Sequence, residues 1–262
     1  SVSYKFPDSQ FYLGGGYLNV KGLALNDNFE RISGRVNIDT RIKNWLTIGT
    51  RTQFTFEDES GSSPNVSGLF FLNPLTTVRD EEGNLELYPW PEESGYFDNP
   101  LEPLLYEDSN TSHQLVSNNF AIIDFPFIEG LNYKLNTGVS IKNTDRTNYR
   151  GRNTKSGLNS AGRADLQRGE FKDIVVENQL SFRREFGPNN IFATALLSYE
   201  ESKGRVNYLS ARGFPNDLLS FYAAAQAEIS TPSFSYFRTQ LISQMLRLNY
   251  GYDSRYLGTL TA

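Results

Sequence analysis

Cysteine is absent from the 262 residues, and histidine and methionine each occur once. Without cysteine there are no disulfides and no thiolate metal sites. His113, the single histidine, sits in the polar stretch "SNTSHQL" with no second His beside it, and reads as an exposed loop side chain rather than a catalyst or metal ligand. No order of Ser, His and Asp makes a triad, and "RISGRV" is not a nucleophile elbow. The acidic runs at 57–60, 80–83 and 91–94 lack EF-hand spacing and read as solvated loop. Gly14-Gly15-Gly16 is not a phosphate loop, because no helix follows it; small side chains there suit close backbone approach. No run of 18 apolar residues exists, so no transmembrane helix is expected. The net charge of −5 gives no electrostatic reason to expect nucleic acid. Mean hydropathy is low at −0.47, but a barrel wall shows lipid only every second residue and stays low on average.

What the chain does have is alternation. From Leu46 to Glu57, Leu46, Ile48, Thr50, Thr52, Phe54 and Phe56 share one face, and Thr47, Gly49, Arg51, Gln53, Thr55 and Glu57 the other. Just before, Ile32, Gly34, Val36 and Ile38 oppose Arg31, Ser33, Arg35, Asn37 and Asp39. The pattern returns in 131–142, 173–183, 191–199 and 246–252. Nine strands are expected near 10–19, 29–40, 44–57, 117–126, 130–143, 172–186, 190–203, 242–252 and 255–262. The predicted connections alternate strictly. Short turns fall at 40–44, 126–130, 187–190 and 253–254, and longer loops at about 20–28, 58–117, 143–171 and 203–241. Every short turn then lies at one end of the strands, as in an outer-membrane barrel with short periplasmic turns and long extracellular loops. Trp45, Phe125, Phe127, Tyr133, Phe186, Tyr250, Tyr252 and Tyr256 lie close to short turns, where they would form an interfacial girdle.

The fold class is therefore all-β, a partial transmembrane β-barrel. Nine strands leave two open edges, which hydrocarbon does not tolerate. The chain starts in strand-like sequence and ends in "RYLGTLTA", so it is expected to be a piece of a longer polypeptide. The competing class is a soluble or surface-attached all-β adhesin or carbohydrate-binding protein. In that case Leu46, Ile48, Phe54, Leu135 and Val139 would be buried between two sheets instead of lying outside a wall. A passive porin is a third option.

The block "FYLGGGYLNVKGLALNDNFERISGRVNIDTRIKNWLTIGTRTQFT" (11–55) resembles the start of the barrel in SusC/RagA-type TonB-dependent transporters. The likeness lies in Gly16-Tyr17, Lys21-Gly22, the series Glu30-Arg31-Ser33-Arg35-Asn37-Asp39, and Trp45-Leu46-Ile48-Gly49. "NPL" occurs twice in the first long loop, at 73–75 and 99–101. The resemblance implies a 22-stranded barrel with a plug in its lumen, TonB contacted through a segment outside this chain, and no bond chemistry. It implies a SusD-like surface lipoprotein, oligosaccharide or peptide as substrate, and a dimer of transporter–lipoprotein pairs. Residues 1–262 would be the N-terminal part of that barrel. Arg31, Arg35, Asp39 and Arg51 would face the lumen and its plug as a charge network. Tyr88, Trp90, Tyr96 and Phe97 in the long loop are candidates for ligand or partner contact, or for the loop's own small core. The segment 213–230 carries a short apolar run with helical character.

Overall fold

A computed structural model describes residues 1–90, 98–253 and 255–262. They form one antiparallel sheet of ten strands in sequence order. The strands are β1 (Val2–Lys5), β2 (Ser9–Lys21), β3 (Asn28–Lys43), β4 (Leu46–Asp58), β5 (Glu107–Asp124), β6 (Leu131–Arg150), β7 (Arg163–Phe186), β8 (Asn189–Arg212), β9 (Ile229–Tyr252) and β10 (Tyr256–Thr261). Each strand pairs only with its chain neighbours, and β1 and β10 are the two edges. No helix among the described residues is long and apolar enough to cross a membrane.

The registers sort every side chain onto one of two faces. Ile32 lies opposite Phe56, Val36 opposite Thr52, Leu135 opposite Asn178, and Leu197 opposite Gln244. Following the ladder, Leu46, Ile48, Phe54, Leu135 and Val139 share one face with Leu180 and Leu246. No second sheet covers this face among the described residues, and Ile242 and Leu246 stay 66% and 60% exposed. A continuous apolar band of that kind has no place in water. Arg31, Arg35, Asp39 and Arg51 lie on the opposite face. That face is concave, because residues from β3 to β8 line a single cavity on it.

The connections at one end of the sheet are 6–8, 44–45, 125–130, 187–188 and 253–255, and at the other 22–27, 59–106, 151–162 and 213–228; 22–27 is no longer than 125–130, and the other three are the long ones. They alternate as expected, but the limits differ from the sequence-based ones. There are ten strands rather than nine, since β1 is too short to show periodicity. The break at Thr40–Asn44 is mostly strand: β3 runs to Lys43, with an irregularity between Arg41 and Lys43. The loops expected at 58–117, 143–171 and 203–241 shrink because β5 to β9 continue 18 to 24 residues. Beyond the apolar band both faces meet polar surroundings. The period-two signal then fades while the backbone ladder carries on.

Aromatics gather at the short-turn end. Tyr250, Tyr252, Tyr256, Phe182 and Phe186 occupy the outward face there, joined by Tyr4 and Phe11 on β1 and β2. The turn between β7 and β8 needs only two residues, because Gly187 adopts φ +56°. At the other end the outward face is closed by residues 213–228, whose 3-10 helix (Ser220–Gln226) fulfils the helical expectation. Phe214, Ala223 and Ala224 bury Tyr149, Ala164 and Ala211 from three adjacent strands. Asp217 holds this cap down. It accepts hydrogen bonds from the Tyr149 hydroxyl (2.8 Å), the Arg152 amide (2.9 Å) and the Arg152 guanidinium (2.6 Å). Burial opposes the Asp217 charge, but these bonds and the Arg152 charge together hold its carboxyl below the usual range.

Candidate solute-binding cavity

A cavity of about 710 Å³ opens on the concave face at the long-loop end. Its wall is the upper part of β5 to β8, and its rim comes from residues 26–29 and 59–63. Gly61, at φ +110°, lies against the backbone of Asn26, so the two rim loops meet there. The lining is polar, and its charges are mostly committed. Asp165 accepts from the Tyr208 hydroxyl (2.6 Å), Ser210 (2.9 Å) and Arg163 (3.0 Å). Asn148 donates to Asp108 at 3.0 Å and accepts from Arg150 at 3.0 Å. The Arg150 guanidinium stands 4.9 Å from the centre of the Tyr106 ring, a cation–π distance. Burial, with help from the Glu102 carboxylate, pushes the Tyr106 phenol up to about 12, so it remains a neutral donor.

Arg146 differs. It enters the same cavity between Asn110 and Gln167 on the neighbouring strands. Among the described residues it makes no hydrogen bond or ion pair. An arginine fork free of a partner, flanked by two amide-bearing positions, is equipped to take a carboxylate, a carbonyl or paired hydroxyls of a solute.

The sequence-predicted residues fall elsewhere. Arg31, Arg35, Asp39 and Arg51 share the concave face but do not form one network. Arg35 donates to Gln53 across the strand pair (2.5 and 3.2 Å), and Arg51 reaches Asp39 at 3.3 Å. Arg31 makes no ion pair among the described residues. The second oxygen of Asp39, Oδ1, is buried without a partner. Beside it Gly49 leaves room for the Phe120 ring, which lies 5.6 Å from the Arg51 guanidinium carbon.

In the long loop, Tyr88 and Trp90 are half-buried and line no part of the large cavity. The Lys155 ammonium stands 5.7 Å from the Tyr88 ring centre. Tyr96 and Phe97 lie outside the described residues, as does the acidic run 91–94. The most exposed large apolar residues among those described in this loop are instead Phe70, Phe71 and Leu75. Both "NPL" motifs make one and the same turn. The Leu75 amide binds the Asn73 side chain at 3.0 Å, and the Leu101 amide that of Asn99 at 2.9 Å. The residue after each leucine bonds the asparagine carbonyl. Asn99 is buried and also donates to the carbonyls of Val78 and Glu86, pinning the loop to itself. His113 is not a loop residue: it sits on the outward face of β5, its ring 4.9 Å from that of Phe56.

Sequence reasoning missed the cavity because Asn110, Arg146, Asp165, Gln167 and Tyr208 all lay in expected loops. A signal was present. Polar residues at 146, 148 and 150 interleave with Thr147 and Tyr149, and Asp165 and Gln167 with Ala164 and Leu166.

The apolar convex band, the aromatic rim and the alternation of short and long connections define the wall of an outer-membrane β-barrel. Sequence comparison specifies it further. The chain is 23% identical over 267 residues to TonB-dependent receptor P3 of Formosa agariphila, matching 97% of this chain and 26% of that receptor. TonB-dependent receptor P39 of the same organism is 24% identical over 256 residues, 96% of this chain and 24% of that one. The chain thus spans about a quarter of the length of the curated relatives it matches. Among solved structures, the RagAB peptide importer in its closed-closed state superposes with a TM-score of 0.79 at 24% identity, over 99% of this chain and 30% of that one. The open-open state gives 0.74. No protein-family model matches. Likeness to TonB-dependent receptors therefore runs over nearly the whole chain in sequence, likeness to RagAB over nearly the whole chain in fold, and the chain is an outer-membrane one.

Proposed function

We propose that this chain is a wall segment of a TonB-dependent importer of the SusC/RagA type, taking up oligosaccharide or peptide with a SusD-like lipoprotein. The observation that carries the reading is the polar cavity on the concave face, at the end away from the aromatic rim, with Arg146 unpartnered in it among the described residues. A solute held there stands at the extracellular mouth of the lumen. The free arginine fork suits a peptide carboxylate or carbonyl at least as well as a sugar. Phe70, Phe71 and Leu75, exposed on the long loop, supply an apolar surface for a lipoprotein lid. Lower on the wall, Arg31, Arg35, Asp39 and Arg51 would meet the plug. The unpartnered Asp39 Oδ1 supports this, since a buried acceptor calls for a donor. TonB would act through a segment outside this chain, and pairing of transporter–lipoprotein units into a dimer belongs to the same proposal. The exposed apolar band argues against a soluble adhesin.

The test is uptake by cells expressing the intact receptor. Arg146→Ala is expected to lower import of its solute about tenfold or more while surface expression holds, in line with about 1.5–3 kcal/mol for a hydrogen bond to a charged group. Unchanged uptake of acidic and neutral peptides and of oligosaccharides alike would remove the cavity from the transport path.

A further inference from the structure

The outward face is layered. From the aromatic rim it runs through the apolar band, then a charged belt, then the cap built by residues 213–228. The belt spans four strands, β6 to β9, and contains five cations, Arg168, Lys172, Lys203, Arg205 and Arg238, against three carboxylates. Each carboxylate is committed to one arginine. Asp145 accepts from Arg168 at 2.9 Å, Glu170 from Arg205 at 2.8 Å, and Glu201 from Arg238 at 3.0 Å. Glu201 also accepts from Tyr199 and Gln240 and is nearly buried.

Two lysines are left over. Lys172 and Lys203 stand directly opposite each other on β7 and β8. Only a long 3.9 Å approach to Glu201 relieves Lys203, and Lys172 has no ion pair among the described residues. Like charges placed directly across a strand pair are destabilising. They line one slot of about 300 Å³ with Tyr236, with Arg205 and the Glu170 carboxylate it holds, and with Ile141, which lies opposite Lys172 on β6. Ile141 tops the apolar band on β6, so the slot lies at the level of the outer-leaflet head groups.

We infer that this slot binds a phosphate group of an outer-leaflet lipid, with Lys172 and Lys203 as its ligands and Ile141 against the start of the acyl region. Lysine ammonium groups are point-charge partners for phosphate, and a bound phosphate removes the repulsion that the paired lysines create. The inference depends on the outer-membrane setting and not on which solute is carried.

The experiment uses the intact receptor purified in detergent, with diphosphorylated lipid A, its dephosphorylated form, and inorganic phosphate as probes, read by native mass spectrometry. The receptor should retain diphosphorylated lipid A and not the dephosphorylated form. Each lysine beside an anionic surface is worth about a fivefold change in affinity, so Lys172→Gln with Lys203→Gln should weaken retention about 25-fold. Lys172→Arg with Lys203→Arg should preserve most of it. Lys142→Gln, on the concave face of the same wall, should have no effect. An equal loss with Lys142→Gln, or retention unchanged by the double variant, would overturn the inference. So would inorganic phosphate displacing the lipid at matched concentration, since the slot would then be a free-anion site.

Discussion

Leu246 offers a direct measure of which face meets lipid. On β9 it lies between Tyr252, in the aromatic rim, and Arg238, in the charged belt, and is 60% exposed. At about 3.4 Å per residue and a strand tilt of about 40°, it stands roughly 15 Å above the Tyr252 level, close to mid-membrane. Leu246→Arg should therefore cost about 2–4 kcal/mol, the range for arginine at the midplane of a barrel's lipid face. Met245 is its immediate neighbour but points to the concave face. Met245→Arg should cost less than about 1 kcal/mol, because the lumen accepts charge. Equilibrium unfolding of the intact receptor in lipid vesicles measures both. The reversed order, with Met245→Arg the costly change, would refute the assignment of faces, and with it the barrel reading.

Three further outcomes follow from single contacts. Asp217 has a folded pKa below its unfolded value near 3.9, so its contribution is present above that value and fades as pH falls through the folded one. Hydrogen exchange in 213–228 should rise on acidification below about pH 4, and Asp217→Asn should already exchange faster at neutral pH and lose that acid step. Asn99→Ala removes the pin on the carbonyls of Val78 and Glu86 and on the Leu101 amide; at about 1–3 kcal/mol it should speed proteolysis within 59–106 and leave the strands intact. Gly49→Ala places a Cβ against the Asp39 carboxylate and the Phe120 ring, so it should destabilise by about 1–3 kcal/mol, seen as a lower heat-modification temperature on gels.

Inside the membrane the sequence spoke clearly, because there each strand has one lipid face and one aqueous face. That Ile32 to Ile38 share one face of β3 and Thr50 to Phe56 one face of β4 followed from alternation alone. Outside the membrane the physical contrast changes. Lys172, Glu201 and Arg205 occupy the outward face where apolar residues stand lower down, so β7 and β8 looked finished near 172 and 203 although they run on to Arg163 and Arg212. Above them the inner–outer contrast returns in a muted form, as Ala164, Leu166, Leu209 and Ala211 under the cap. Small side chains give a weak signal, and the cavity residues interleaved with them were hidden for that reason. The four charges expected at the lumen do share one face, the concave one. That Arg35 would choose Gln53 and Asp39 would take Arg51 depends on cross-strand register, which alternation does not reveal.

The strictly sequential strand order has an evolutionary consequence. Every neighbour in the wall is also a neighbour along the chain, and each strand reverses the direction of the last. Adding or deleting a two-strand hairpin changes the circumference but leaves every remaining loop on its own side of the membrane. Gaining or losing one strand would send all later loops to the opposite compartment. Such a wall is free to grow or shrink only in even steps, which makes the hairpin, rather than the strand, its heritable unit.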